Sequence, residues 1–236
     1  MLEIKNFSKI YPNGKIGAKD INLEVNSGDI FAFIGHNGAG KTTTIKSIVG
    51  INDITNGDIF IDGKSVKKDP IGCKKVTAYI PDNPDIYTGL TGIQYLNLIA
   101  DIYKVSEKER KENILKYSRM LEIEKDLNTM ISNYSHGMRQ KLVLISAFMH
   151  NPKLIVMDEP FVGLDPKASF TVKQIMKEFV ENGGAIFFST HVLEIAEKLC
   201  NKVAIIKDGQ IVSSGRMEDI LKDESLESVF LETSND

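Results

Sequence analysis

Ile30-Phe31-Ala32-Phe33-Ile34-Gly35-His36-Asn37-Gly38-Ala39-Gly40-Lys41-Thr42-Thr43 runs from an unbroken apolar block into a glycine-rich loop and on into residues compatible with a helix. Five consecutive apolar residues suit a strand covered on both faces. In the loop, glycines let backbone N–H groups turn inward around phosphates, and the positive end of the following helix adds to them. Lys41 supplies an ammonium for the β- and γ-phosphates, and the Thr42 hydroxyl can ligate Mg2+. An ordinary glycine-rich turn is the bland alternative, but Gly35 through Thr42 match at every position in a strand-loop-helix context, which predicts nucleoside triphosphate binding.

Outward from this stretch, three more apolar blocks, Leu154-Ile155-Val156-Met157, Ala185-Ile186-Phe187-Phe188 and Val203-Ala204-Ile205-Ile206, predict further strands of a buried parallel sheet. Leu2 and Ile4, then Ile21, Leu23 and Val25, alternate with polar neighbours as strands of an antiparallel layer do, with Pro12-Asn13-Gly14 turning between them. Asp165-Pro166 opens a helix whose apolar face is Val172, Ile175, Met176 and Phe179. Between positions 91 and 149 the pattern is mostly helical. Ser106-Glu107-Lys108-Glu109 reads as a capping box ahead of Ile114, Tyr117 and Leu121, and Met138, Leu142, Ile145 and Met149 mark a second helix. The fold class is α/β: a P-loop NTPase core with a mainly parallel sheet, an N-terminal antiparallel β layer and an inserted helical subdomain at about 88–150. The polar, acidic tail after Leu226 is expected to fray.

Composition excludes several classes. With 29 Lys and Arg against 32 Asp and Glu, the 236-residue chain has no basic balance to offer duplex DNA or RNA, so no nucleic-acid partner is expected. Cys73 and Cys200 are the two cysteines, too far apart for a CxxC motif, which points to a reducing, cytoplasmic compartment without a disulfide framework. The first nine residues lack the apolar stretch of a signal peptide. No apolar run approaches the ~18 to 20 residues that cross a bilayer, so the chain is expected at most to sit against a membrane protein.

Two further segments carry chemistry. The Leu154 block ends in Asp158-Glu159, where the carboxyl end of a parallel strand opens onto a ligand crevice. There Asp158 would hold Mg2+ and Glu159 would orient and deprotonate an attacking water. Ser135 and Gly137 stand at the start of a helix, a ready anion site. Guanine specificity lacks support, since Asn201-Lys202-Val203-Ala204 has no aspartate to complete an Asn-Lys-x-Asp reader.

Together these motifs, in this order, resemble the ATP-binding subunit of an ABC transporter along nearly the whole length, which implies one ABC-type domain over 1–236 using ATP and Mg2+. The resemblance makes Tyr11 the aromatic that stacks on adenine and Gly35, His36, Asn37, Gly38, Ala39, Gly40, Lys41 and Thr42 the phosphate loop, with Thr43 a further nucleotide-binding residue. It makes Ser135 to Met138 the signature motif, with Ser135 and Gly137 as its binding residues, Gly163-Leu164-Asp165 the D-loop and His191 the switch histidine, so that Lys41, Glu159 and His191 form the catalytic set. Each has a plainer reading: Tyr11 packing beside its turn, Asp165 as only an N-cap, His191 as a helix cap. His150 is expected at the surface. Two positions depart from the usual pattern. Tyr134-Ser135-His136-Gly137-Met138 replaces Leu-Ser-Gly-Gly-Gln, and Asp82 stands where the Q-loop usually carries glutamine, as a carboxylate that can approach Mg2+. Such variants resemble the subgroup serving ABC-2-type exporters. The family implies a second ATP-binding subunit, identical or paralogous, and integral membrane permease subunits that hold the chain to the inner face of the membrane. The alternatives are a soluble ABC-type ATPase with non-membrane partners, as in iron-sulfur assembly, and a module that senses ATP without hydrolysing it.

Overall fold

The unbroken apolar blocks become neighbouring strands because both of their faces are covered. The computed structural model describes residues 1–222 and 224–235. Among these, β3 (Ile30–Ile34), β6 (Thr77–Ile80), β7 (Leu154–Asp158), β8 (Ala185–Thr190), β9 (Lys202–Lys207) and β10 (Gln210–Arg216) form a sheet in the order β10-β9-β3-β8-β7-β6. Every neighbouring pair is parallel except β10 with β9. Side chains alternate between two cores: Phe31, Phe33, Val156 and Phe187 face one side, and Ala32, Ile34, Met157 and Phe188 the other. Phe187 lies 5.5 Å from Phe31 and 5.3 Å from Phe33 between ring centroids. Each such ring is worth roughly 1.5–3 kcal/mol of burial.

The first core is closed by α1 (Lys41–Ile48) and by an antiparallel sheet of β1 (Leu2–Ile10), β2 (Ile16–Val25), β4 (Asn56–Ile61) and β5 (Lys64–Ser65), in the order β2-β1-β4-β5. The predicted turn joins β1 to β2, with the Gly14 N–H donating to the Tyr11 carbonyl at 2.9 Å. The short α2 (Pro70–Lys74), capped by Asp69, leads into β6.

The second core lies under α6 (Pro166–Glu181), α7 (Leu193–Leu199) and the helical region α3 (Gly92–Ile102), α4 (Glu107–Met120) and α5 (His136–Phe148). Helix α5 is wedged among β6, α3 and α4, so almost all of its second half is buried instead of the single stripe the periodicity indicates. The capping box expected at Ser106 is only half formed: Ser106 Oγ accepts from the Glu109 N–H at 3.4 Å, and the Glu109 carboxylate takes the Ser106 hydroxyl instead of the backbone. A complete box stands at Thr91 and Gln94, ahead of α3.

Two expectations are overturned. His150 is half-buried, its ring stacked on Tyr103 at 3.8 Å and its Nδ1 2.9 Å from the Ser146 carbonyl. The tail after Leu226 does not fray across its described residues. After α8 (Met217–Leu221) it forms α9 (Leu226–Asn235), because Leu226 and Phe230, four apart, bury one face against the second core. The Leu226 N–H is held by Glu197 of α7 at 2.8 Å, while Asp236 lies outside the described residues.

Candidate active site

Strand register brings four loops to one edge of the main sheet. Ile80 pairs with Met157, Asp158 with Ser189, and Thr190 with Ile34. The segments that follow β6, β7, β8 and β3 therefore emerge side by side at the carboxyl ends of parallel strands, where α/β sheets bind ligands. Tyr11, Asn37, Lys41, Thr42, Asp82, Asp158 and Glu159 all help to line a cavity of about 650 Å³ there.

The phosphate loop is shaped by close packing. Gly40 has φ 111°, and a Cβ on it would lie 2.4 Å from the Gly17 carbonyl oxygen, so no other residue fits. Gly40 is also the N-cap of α1 and gives no side-chain cap, leaving the first-turn N–H groups for an anion. The Lys41 ammonium is buried and donates to the Gly35 carbonyl at 2.6 Å and the His36 carbonyl at 3.2 Å. Burial holds its pKa below the usual lysine value, opposed by the charges of Glu159 and Asp158. The Tyr11 hydroxyl and the Thr43 Oγ1 share a hydrogen bond of 3.1 Å, which fixes the aromatic ring beside the loop. Gly35 and Ala39 are buried in the loop's base, and the His36 ring faces Phe230 of α9 with centroids 4.7 Å apart.

Asp158 and Glu159 are held differently. Asp158 is 2% exposed and accepts from the Ser189 hydroxyl at 2.5 Å. The Glu159 N–H donates to the Ser189 carbonyl and hydroxyl oxygens, each at 3.2 Å. Ser189 thus binds both acidic residues. Sequence reading missed it, though it lies two residues before His191 at the end of the apolar block. The Glu159 carboxylate, 14% exposed, lies 2.9 Å from His191 Nδ1, so the two residues expected to act together do meet.

Ser135, Gly137 and Asp165 stand outside this cavity wall. Ser135 is exposed at the N-cap of α5, where its Oγ accepts from the Met138 N–H at 3.2 Å and its own O–H can still donate outward. Asp165 caps α6 through the Ala168 N–H at 2.8 Å and pairs with Lys141 at 3.5 Å. The Ala168 bond first, then Lys141, holds its carboxyl below the usual range. Asn201, just before β9, ties that strand to β3, accepting from the Ile30 N–H and donating to Asp29, both at 2.9 Å.

Comparison with known proteins agrees with this layout. Residues 18–162 match the family described as ABC transporter. The chain is 32% identical to the ABC-type transporter ATP-binding protein EcsA of Bacillus subtilis (strain 168), over 100% of this chain and 97% of the relative. It is also 32% identical to the SkfA peptide export ATP-binding protein SkfE of the same organism, over 90% of this chain and 87% of the relative. A solved structure of the ATP-binding subunit of an ABC transporter superposes with a TM-score of 0.96 at 34% identity, covering 99% of both chains. These relatives favour the transporter over a soluble ATPase with non-membrane partners. The chain belongs to the ABC transporter family, as an ATP-binding subunit that hydrolyses ATP.

Proposed function

We propose that this subunit powers export through a membrane permease, working at the inner face of the membrane as one of a pair of ATP-binding subunits. The observation that carries the reading is the separation of the site into two unequal halves: Lys41, Asp158 and Glu159 around one cavity, and Ser135 facing outward elsewhere on the same chain. An exposed serine at a helix start is suited to a γ-phosphate held by a second subunit. Export rests on the kinship with the SkfE protein, whose name records peptide export. In this reading residues 1–236 form one ATP-binding domain with the helical region at about 88–150 inserted.

Tyr11 stacks on adenine, and the segment from Gly35 to Thr43 wraps the phosphates. Thr42 and Asp158, with Asp82 on the same wall, are the donors for Mg2+. The donor set fits that ion: a hydroxyl and carboxylates share one wall of the cavity, and Mg2+ normally takes one or two protein oxygen ligands beside phosphates and water. When bound, the ion neutralises charge developing on the phosphates. Glu159 accepts the proton of the attacking water, and His191, in contact with it, holds the carboxylate in place. The Lys41 ammonium stabilises the transferring phosphoryl group.

The test is Glu159→Gln, which keeps size and hydrogen bonding but removes the base. Turnover falls by about two orders of magnitude while ATP still binds, and the variant passes from monomer to dimer on adding ATP but not ADP. A Glu159→Gln protein that stays monomeric at saturating ATP in low salt rules out an identical pair and points to a paralogous partner.

A further inference from the structure

Gln140 is wholly buried in α5, yet it is polar. Its Nε2 donates to the Pro160 carbonyl at 3.2 Å, while its Oε1 is buried with no partner among the described residues. An unpartnered buried acceptor costs stability, so packing alone is a poor reason for an amide at this position. Pro160 has no N–H, so its carbonyl is its one polar backbone group; beside it the Val162 N–H closes the turn onto the Glu159 carbonyl at 3.2 Å. Glu159 itself has φ 49°, a left-handed conformation uncommon for a residue with a side chain. Such a turn persists where its surroundings fix it on both sides. Ser189 fixes it from β8 through the Glu159 N–H, and Gln140 fixes it from α5 through the Pro160 carbonyl.

Two more contacts join the start of α5 to the segment 160–165. Lys141 pairs with Asp165. The His136 ring rests on Gly163, where a Cβ would come within 2.3 Å of His136 Cδ2; with φ 79° as well, that position admits only glycine. The helix that presents Ser135 outward is thus tied to the segment leaving Glu159.

We propose that Gln140 is a positioning residue for ATP hydrolysis, its amide holding the Pro160 carbonyl and so the backbone turn that aims the Glu159 carboxylate. The proposal rests on reading Glu159 as the base. Gln140 acts from the helix that begins at the signature serine, so displacement of that helix by a partner's ATP reaches the base of its own subunit directly.

Gln140→Met keeps length and volume, removes the donor, and also removes the orphaned acceptor. The expected result is a melting temperature within a few degrees of the unaltered protein, since loss of the orphaned acceptor offsets the Pro160 carbonyl left without its donor, a KM for ATP within twofold, and a kcat at least tenfold lower. A side chain that only fills the core would give the first two without the third, and kcat within twofold of the unaltered protein overturns the proposal. Gln140→Leu repeats the test should the methionine variant fold poorly. In a Glu159→Gln background, Gln140→Met changes the residual rate by less than twofold, because no base remains to be aimed. A further tenfold loss there places the action of Gln140 elsewhere and also overturns it. Glu159→Gln alone reports on the base: full turnover in that variant would remove the base reading whatever Gln140 does.

Discussion

The phosphate loop and the start of α5 are both helix N-termini that the proposed reading assigns to phosphate, but one is enclosed and the other open. At the loop, Lys41 is 7% exposed and Asp158 2%, and Tyr11, Thr43 and Ser189 hold the surrounding groups with bonds inside the chain. At α5, Ser135 and His136 are exposed, and the nearest chemical groups of the first site do not line a shared cavity with them. Both use the same physics of unsatisfied N–H groups and a positive helix end. The difference is what surrounds them: the first is enclosed by its own chain, while the second is left exposed. Binding should therefore depend on the first, and turnover on both.

Lys41→Ala attacks the enclosed end and should have the largest effect. It removes a buried ammonium that the proposed reading places on the phosphates, and loss of one such group costs ~3–4 kcal/mol at a transition state, about a hundredfold or more in rate. Steady-state hydrolysis is expected to vanish into background and ATP affinity, measured by fluorescence titration, to fall. Undiminished turnover in the pure variant would remove Lys41 from the site.

Ser135→Arg attacks the open end. ATP affinity of the isolated subunit is expected to stay within about twofold, since Ser135 stands outside the cavity wall, while turnover drops by about tenfold or more through obstruction of the facing phosphate. Sedimentation of the Glu159→Gln, Ser135→Arg double variant with ATP should show no dimer. Should the single variant lose ATP binding in the monomer, the contrast between the two ends would collapse, because Ser135 would then be serving its own chain's nucleotide.

The two ends were also unequally legible. The phosphate loop could be read because its constraints are local: glycines for backbone reach, a lysine, a hydroxyl, and an apolar strand before them. So could the four central strands, whose unbroken apolar runs follow from being covered twice. Edge strands β6 and β10 were not read as strands, and in β10 exposed and half-exposed residues alternate without a buried stripe. Ser189 and Gln140 escaped notice because what makes them matter is a partner far away in sequence, the Asp158 carboxylate and the Pro160 carbonyl. Helix α9 was hidden by its polar and acidic residues, since its buried side chains are Leu226 and Phe230, with Val229 half-buried beside them.

Asp82 sharpens the account of the enclosed end. It is exposed on the cavity wall, and no described acceptor or donor holds it there. Asp82→Asn keeps its shape and removes the charge. If it helps to hold Mg2+, the Mg2+ concentration giving half-maximal hydrolysis should rise about threefold, with kcat at saturating Mg2+ changed by less than twofold. A Mg2+ titration that superposes on the unaltered protein would leave Thr42 and Asp158 as the donors without it.

The smallest effect concerns how α5 is held, and it is a matter of stability and not of turnover. His150 follows the C-terminus of α5, stacked on Tyr103 of the chain after α3, with Nδ1 on the Ser146 carbonyl and Nε2 buried without a partner among the described residues. Burial pushes its pKa below the ordinary histidine value, while the Ser146 bond pulls the other way. The folded chain therefore takes up this proton less readily than the unfolded chain. Its contribution is fully present above the unfolded value, near pH 6.5, and is lost as pH falls below that towards the folded value. His150→Leu should remove this component, so the melting temperatures of the two proteins converge, or cross, as pH falls from about 7 to 5. One group can add no more than about 1.4 kcal/mol per pH unit, so the change is a shallow slope and not a collapse. The slope is the measurement to trust over the absolute value, because the leucine also gives up the bond to Ser146. Parallel melting curves across that range would show that His150 titrates alike in both states, and α5 would then be anchored at its buried end without any sensitivity to acid.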